Sequence, residues 1–527
     1  MSGTSSLQER MHPSIRSIAW LMFHAVGVLL LILAFALSVF GRDIYVDQAF
    51  FILITQQWNL GHPMYTFLVD GGPPPLYFLH LISVLISNFT ALPNVLSFNL
   101  VVSSFAIFSG LLVGLCSEKP WQFLTGLFWS TFVLISANDT IFGQREYFFM
   151  LAWIPYLLAR CASGSPSRWT QAIAGASAGF MVCIKPHFAL VVAGSEAVIW
   201  ALHRKRCRNI PFVALILSGL IQIAIFFIFF DVKAYIEFLI RFNENYYGRV
   251  GFHYRDVANA LMTSIASRCS FIISLGAAFL IPFGSRSRPF IDGAVASVAC
   301  GYILIVLQGF FRPYYLTLLY LPAGSIILMM VAYSSEHTSV AHPGLRKILY
   351  SLFMALSSYL LWIIVSDVGI VKSAYARYRY GEQIQVFGGI KPDPFVDWVN
   401  AHVPRGSTIT VLGSYGLVYF DPMASMVRLD RPIPSYRPGW EEDFSDKTIY
   451  PAGTASRSAM MIQQNIENAK VEWLFVRRSM SSWDEFKSDD PIEWLRRSPL
   501  VWNWFSTTFV ETDRFDQYSV YRRRSGQ

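Results

Sequence analysis

Charged residues are scarce in this chain: 14% of 527, against 54% hydrophobic and 16% aromatic. A soluble domain carries about 25% charged residues, so a wholly soluble protein is excluded. The scarcity is uneven. After residue 370, 20 Lys and Arg and 19 Asp and Glu make 39 of 157 residues charged; before it, only 37 of 370 are. The pattern reads as a membrane module over 1–370 and an ordinary water-soluble domain over 371–527. Cysteine is missing from the second part altogether, which excludes a disulfide framework there. At about 157 residues its core is large enough without one. All six cysteines (Cys116, Cys161, Cys183, Cys207, Cys269, Cys300) lie in the first part and do not reveal a compartment. The C-terminal part also lacks GxGxxG, GxxxxGK[ST] and GxSxG, so neither nucleotide binding nor hydrolase chemistry is indicated. No internal repeat, low-complexity tract or metal-ligand spacing occurs. The net charge of +8 does not point to nucleic acid, because +7 of it sits in the membrane module. Loops facing the cytoplasm collect Lys and Arg.

What is present is a series of apolar runs. Those long enough, or nearly so, to cross a bilayer lie at about 18–40, 95–115, 120–137, 146–162, 170–185, 187–202, 210–230, 260–282, 290–308, 314–333 and 347–370, with 74–92 ambiguous. The first is too long for a signal-peptide core and ends in a poor cleavage site, so it reads as a retained span. Basic clusters stand at Arg10/Arg16, Arg160/Arg168, Arg204/Lys205/Arg206/Arg208, Arg286/Arg288 and Arg346/Lys347. If all are cytoplasmic, an even number of spans must separate them. That parity favours 74–92 as a helix lying at the outer surface over a simple crossing. The expectation is eleven transmembrane helices, the N-terminus inside and the C-terminal domain outside. Three polar stretches, 41–73, 138–146 and 231–259, then gather on the outer face. The C-terminal part alternates helical spacing (393–403, 456–469) with strand patterns (408–412, 471–475 and the run from Thr507 to Arg524), predicting a small α/β domain.

The scarce outer charges are the candidates for chemistry. Asp47 sits among apolar neighbours just beyond the first span, where desolvation raises a carboxyl pKa and suits a general base. An interfacial residue or the cap of a helix running to about 60 would look the same. Arg145-Glu146 opens a span, where ionisable residues are costly and tend to be functional; a helix-end ion pair has the same pattern. Lys185, in Ile-Lys-Pro-His with His187, is placed for a phosphate or for snorkelling. Loop 231–259 has amphipathic spacing up to Tyr247, followed by Arg249, His253, Tyr254 and Arg255. Those residues, like Arg312 with Tyr314 and Tyr315, mix cations with rings, as a sugar phosphate requires and as a solvated interfacial loop also shows. Glu196 reads as a hydrogen-bonded or protonated buried acid. His24, His80, Gln222 and Gln308 read as side chains satisfied between helices.

Four features together resemble the polyprenyl-phosphate-dependent glycosyltransferases of the GT-C superfamily, in particular the protein mannosyltransferase and lipid A aminoarabinose transferase branch. They are Asp47 in the first outer loop, Gly61-His62-Pro63-Met64-Tyr65, Asp70-Gly71-Gly72-Pro73-Pro74-Pro75-Leu76-Tyr77, and Arg145-Glu146 opening a later span. Lys185-Pro186 after a small-residue helix and the outer C-terminal domain also fit. The likeness covers roughly 18–190 well and the remainder in architecture only. Two departures stand out. Relatives often carry a Lys just before Pro-Pro-Leu, where this chain has Gly72 and Pro73; and they often pair two acids in the first loop, where Gln48 follows Asp47.

The resemblance implies a polytopic α-helical membrane protein of about eleven spans with an extracytoplasmic C-terminal α/β domain, in the bacterial inner membrane. It implies inverting transfer of a sugar from a polyprenyl-phosphate donor to an envelope glycan, lipid or protein. Asp47 would be the base, with Glu146 beside it. Arg145, Lys185, His187, Arg255, Arg312 and Tyr314 would meet the donor phosphate, and Gln48, His62, Tyr65, Tyr247 and His253 the acceptor or sugar. Arg and Lys can stabilise a lipid monophosphate leaving group, so no cofactor is required; a divalent metal is possible but not indicated. No nucleic-acid partner is expected. A lipid-linked-glycan transporter is the alternative of another class, disfavoured by the absence of a repeat. Within the enzyme class, an oligosaccharide ligase or polymerase using a lipid-diphosphate donor stays open.

Overall fold

Long apolar runs become helices because a buried or lipid-facing backbone must satisfy its own hydrogen bonds. The computed structural model describes residues 13–61, 63–65, 72–90, 92–117, 122–161, 166–242, 254–282, 285–309, 311–332, 343–369, 394–412, 429, 449, 451–478, 491–516 and 518–524. Helices in the first part are α1 (Pro13–Phe40), α2 (Val46–Asn59), α3 (Pro74–Thr90), α4 (Asn94–Cys116), α5 (Gln122–Ser136), α6 (Arg145–Cys161), α7 (Arg168–Val182) and α8 (Phe188–His203). They continue with α9 (Asn209–Phe229), α10 (Val232–Phe242), α11 (Tyr254–Thr263), α12 (Ile265–Leu280), α13 (Arg288–Leu307), α14 (Thr317–Ala332) and α15 (Pro343–Val368), a 3₁₀ turn at Pro313–Leu316 preceding α14.

Every apolar run of the sequence is helical, but length separates them. Among the described residues, five helical stretches are long and apolar enough to cross a bilayer: Trp20–Phe40, Asn94–Cys116, Asn209–Phe229, Arg288–Leu307 and Pro313–Ala332. This is the composition of a multi-pass membrane protein. A sixth is reached only by joining α11 to α12, which meet at a 73° bend. The expected single span over 260–282 is thus broken. Ser264 stops one helix and its hydroxyl accepts from Ser267 N to start the next. Pro74–Thr90, Gln122–Ser136 and Phe188–His203 are shorter apolar helices.

Small residues set the tightest packing. A Cβ on Gly175 would meet Pro211 O at 2.1 Å and one on Gly179 would meet Leu215 O at 2.2 Å, so α7 touches α9 backbone to backbone. Such close approach holds helices together where lipid offers no hydrophobic drive. By contrast the other side of α9 is largely exposed apolar surface, including Leu217, Leu220, Ile221 and Phe227.

Polar contacts sort to two ends of the bundle. At one end, Asn99 near the start of α4 donates to Val39 O and Arg42 O, and Lys185 after α7 reaches Gln308 after α13. At the opposite end, Arg160, Glu196 and the 204–208 turn meet, as do His203, Arg288 and Asp292. Both ends of α3 belong to the first group. Phe78 packs at 6.2 Å from Phe230, just past α9, and Thr90 is four residues before the start of α4.

The C-terminal part forms β1 (Ile409–Leu412), β2 (Trp473–Arg477), β3 (Phe509–Phe515) and β4 (Tyr518–Arg523), with α16 (Pro394–His402), α17 (Arg457–Asn468), α18 (Pro491–Arg496) and α19 (Pro499–Thr508). The sheet order is β1-β2-β4-β3, with β1 parallel to β2 and the other pairs antiparallel. Strand alternation turns Phe475 toward Phe395 of α16, ring centroids 5.0 Å apart. Leu474 and Val476 share the opposite core with Ile462, Ile466, Val501 and Phe505. The strands match the expected pattern, and α18 and α19 are further helices, each beginning at a proline, Pro491 and Pro499.

Candidate active site

The site begins with a residue the sequence reading passed over. Arg42, in the turn after α1, is buried and donates to Leu134 O in the last turn of α5 and to Ala137 O just after it. Its guanidinium also lies 4.0 Å from the Phe142 ring centroid and 3.9 Å from Asp139. This fork–carbonyl geometry is specific to Arg and fastens the loop after α1 to the 138–144 turn. That turn is shaped by Asn138, whose side-chain oxygen accepts from Thr140 N and Ile141 N. It is closed by Gly143 at φ +76°, where a Cβ would strike the Phe98 ring at 2.3 Å. Only glycine fits there.

Two side chains tie α2 to the turn. Gln48 donates to Phe142 O at 2.9 Å, and Gln144 donates to Asp47 Oδ2 at 3.4 Å. Asp47 stands in the first turn of α2, but the N-cap position is Tyr45 and no side chain caps the helix, which removes the capping alternative. Asp47 is half-buried, and burial raises its carboxyl above the usual carboxylate range, opposed by the cations Arg145 and Arg312 and by the Gln144 bond. The Tyr45 phenol beside it is pushed up to about 12 by burial and by the Asp47 charge.

On the first turn of α6, Glu146 is fully buried and accepts from Lys185 Nζ at 2.7 Å. Lys185 sits in the turn from α7 to α8, donates also to Gln308 Oε1 at 2.9 Å, and lies 4.7 Å from the Tyr315 ring centroid. Burial lowers its ammonium from the ordinary value, and Glu146 acts to hold the charge. Glu146 Oε2 and Arg145 Nε are buried with no partner among the described residues; the Arg145 guanidinium stands 5.5 Å from the Phe51 ring centroid. Residues from four separate segments (Asp47, Arg145-Glu146, Lys185 and Arg312 with Tyr314) therefore converge, with Gln48 as a brace.

Other candidates lie differently. His187 is exposed on the rim of the Lys185 turn, its imidazole pKa lowered by burial of its ring and by Lys185. Arg255 is exposed on α11. Tyr65 is buried at φ +68°, donates to Gly72 O at 2.8 Å, and packs edge-on against Tyr235 at 4.9 Å, so it braces its loop. His62, Tyr247 and His253 lie outside the described residues. Gln308 is a lysine partner and its amide nitrogen has none, while both His80 ring nitrogens lack protein partners; the ring stacks on Phe98 at 5.6 Å. Gln222 Oε1 is likewise buried without a partner among the described residues, so His80, Gln222 and Gln308 are not the fully satisfied interhelical residues the sequence suggests. His24, by contrast, bonds Trp20 O, and Glu196 accepts from Tyr156 and Arg160.

Beside the cluster is an apolar cavity of about 490 Å³ lined by Phe78, Leu79, Phe105, Phe148, Phe180 and Met181 among others. Phe148 lies within a turn of Arg145-Glu146 and Met181 four residues before Lys185, so the cavity adjoins the charged site. Among the described residues no group of three His, Cys, Asp or Glu is arranged to hold a metal ion.

No protein-family model and no curated protein matches the chain. Among solved structures it is similar to the crystal structure of ArnT from Cupriavidus metallidurans bound to undecaprenyl phosphate, at 11% identity and a TM-score of 0.43. It is similar also to the apo state of that protein, at 13% identity and a TM-score of 0.45. Each alignment covers 96% of this chain and 98% of the other.

Proposed function

We propose that the protein is an integral-membrane inverting glycosyltransferase that moves a sugar from a polyprenyl-phosphate donor to an acceptor hydroxyl on the outer face of the membrane. The observation that carries this reading is the convergence of a carboxylate of raised pKa, Asp47, with buried cations beside an apolar cavity. Such a site offers a base for a hydroxyl, charge for a phosphate and a dry groove for an isoprenoid tail. The tail lies in the cavity lined by Phe78, Phe148 and Phe180. Lys185 and Arg145 meet the phosphate, assisted by Arg312.

In the reaction the acceptor oxygen attacks the anomeric carbon from the face opposite the phosphate. Its proton passes to Asp47, the bond from anomeric carbon to phosphate oxygen breaks, and the lipid phosphate leaves with the electron pair. A general base contributes about 10² to 10⁴ in rate, and pre-aligned cations stabilise the departing charge without reorganisation. Glu146 keeps Lys185 charged and aimed. The cations suffice for a monophosphate leaving group, so the reading requires no metal.

The proposed arrangement has eleven crossings, 1–370 as the catalytic transmembrane module, α3 lying at the outer surface, the N-terminus cytoplasmic and 371–527 extracytoplasmic, in a bacterial inner membrane. Acceptors are envelope glycans, lipids or proteins. The test is transfer in proteoliposomes supplied with a polyprenyl-phosphate sugar. Free polyprenyl phosphate and a product of inverted anomeric configuration are expected. Translocation of unaltered donor would show a transporter instead.

A further inference from the structure

At the end of the bundle opposite the candidate site, two cysteines face each other. Cys161 is the last residue of α6, 3% exposed, and Cys207 is partly exposed in the turn between α8 and α9. Their Sγ atoms are 3.6 Å apart. The backbones that carry them are pinned: Arg208 N donates to Arg160 O at 2.9 Å, and the Arg208 guanidinium donates to Ala159 O at 3.1 Å. Arg160 returns a bond from its guanidinium to Arg208 O and is itself held by Glu196 at 3.3 Å. Closing the sulfurs to a disulfide bond length of about 2.05 Å needs an approach of roughly 1.5 Å, within reach of side-chain torsions.

The two thiols are not equivalent. Cys207 is the accessible one, and Arg204, Lys205, Arg206 and Arg208 surround it in sequence. Its thiol pKa is lowered by the hydrogen bond with Cys161 and by the Arg160 and Arg208 charges, against its own burial and the Glu196 carboxylate. Reactive cysteines are accessible and in electropositive surroundings, with a resolving thiol close by. Cys161 has the position of the resolving partner.

We propose that Cys161 and Cys207 are a redox-active dithiol that closes to an intramolecular disulfide by exchange with a low-molecular-weight disulfide. The Cys207 thiolate attacks one sulfur of the small disulfide, forming a mixed disulfide and releasing one small thiolate. The Cys161 thiol, losing its proton, then attacks Cys207 Sγ and expels the second small thiol. The protein thiols are oxidised by two electrons and the small disulfide is reduced to two thiols; excess thiol reverses both steps. The crosslink fastens the C-terminal end of α6 to the α8–α9 turn. In the proposed topology this end is cytoplasmic, where thiols are held reduced and disulfides are transient and regulatory. The inference rests on the pair's own geometry and is independent of the transfer reaction.

The test uses the full-length protein in detergent, equilibrated with oxidised glutathione, then denatured and alkylated. Six free thiols are present before oxidation. The expected result is loss of two, a Cys161–Cys207 linked peptide by mass spectrometry, full recovery with excess reduced glutathione, and a persistent glutathione adduct on Cys207 in Cys161→Ser. Retention of six free thiols, a stable adduct on Cys207 in the unaltered protein, or a crosslink through any other cysteine would overturn the proposal. The readout on the unaltered protein stands even if the variant fails to fold.

Discussion

Lys185 reaches Glu146 at 2.7 Å across a gap between two helix ends, and Glu146 is wholly buried. A buried lysine titrates low unless an anion holds its charge, and Glu146 is that anion. Replacing Glu146 by Gln removes it, so the Lys185 pKa falls further. Lysine is charged below its pKa; in the proposed reaction the alkaline limb of the transfer–pH profile therefore moves to lower pH. Removing one partner of a buried pair also costs about 3 kcal/mol, to be read by thermal unfolding in detergent. An alkaline limb that stays in place would separate Lys185 from phosphate binding.

Asp47 responds to Arg145 with the opposite charge logic. Burial raises its carboxyl and Arg145 and Arg312 lower it. Arg145→Gln removes one opposing cation, the pKa rises further, and the base form is lost at a higher pH on acidification. The acid limb of the profile moves up in pH, on top of a lower plateau.

The same shift predicts a stability effect. A carboxyl whose folded pKa lies above its unfolded value contributes stability below the unfolded pKa and loses it as pH rises through the folded pKa. At neutral pH, above the unfolded pKa, Asp47 is thus a cost to the fold. Asp47→Asn is expected to unfold at the same temperature as the parent, or higher, near pH 7. The difference should vanish at acid pH.

Arg42 acts through other residues. Arg42→Ala orphans Leu134 O and Ala137 O and frees the 138–144 turn, at a cost of about 3 kcal/mol. Arg42→Lys, keeping the charge but not the fork, recovers little. The specific readout is the Asp47-dependent acid limb, which shifts when the Gln144 bond is lost and would not move if Arg42 were merely structural.

Much of this was legible in one sequence. The apolar runs and the C-terminal strand alternation follow from periodicity, and the described helices and strands match them. The scarcity of charge before residue 370 singled out Asp47, Arg145, Glu146, Lys185 and Arg312, which converge. The remainder depended on long-range contacts that no local pattern encodes. Arg42 looks like an interfacial arginine until its carbonyl partners, more than ninety residues away, are seen. Gln308 looks like one more polar residue ending an apolar run until Lys185 meets it. The 73° break at Ser264 hides in the sequence because a serine within an apolar stretch carries no breaker signal of its own. Nor does the sequence show that the Tyr65 ring, which the resemblance assigns to acceptor or sugar, is buried among Phe226, Phe230 and Tyr235.

The central claim is that Asp47 takes the acceptor proton. The direct measurement is single-turnover transfer from a synthetic polyprenyl-phosphate sugar by purified parent and Asp47→Asn protein, with donor binding measured in parallel. A loss of about 10² to 10⁴ in rate, with donor binding and thermal stability retained, is the predicted result. Turnover by Asp47→Asn at the parent rate would contradict it.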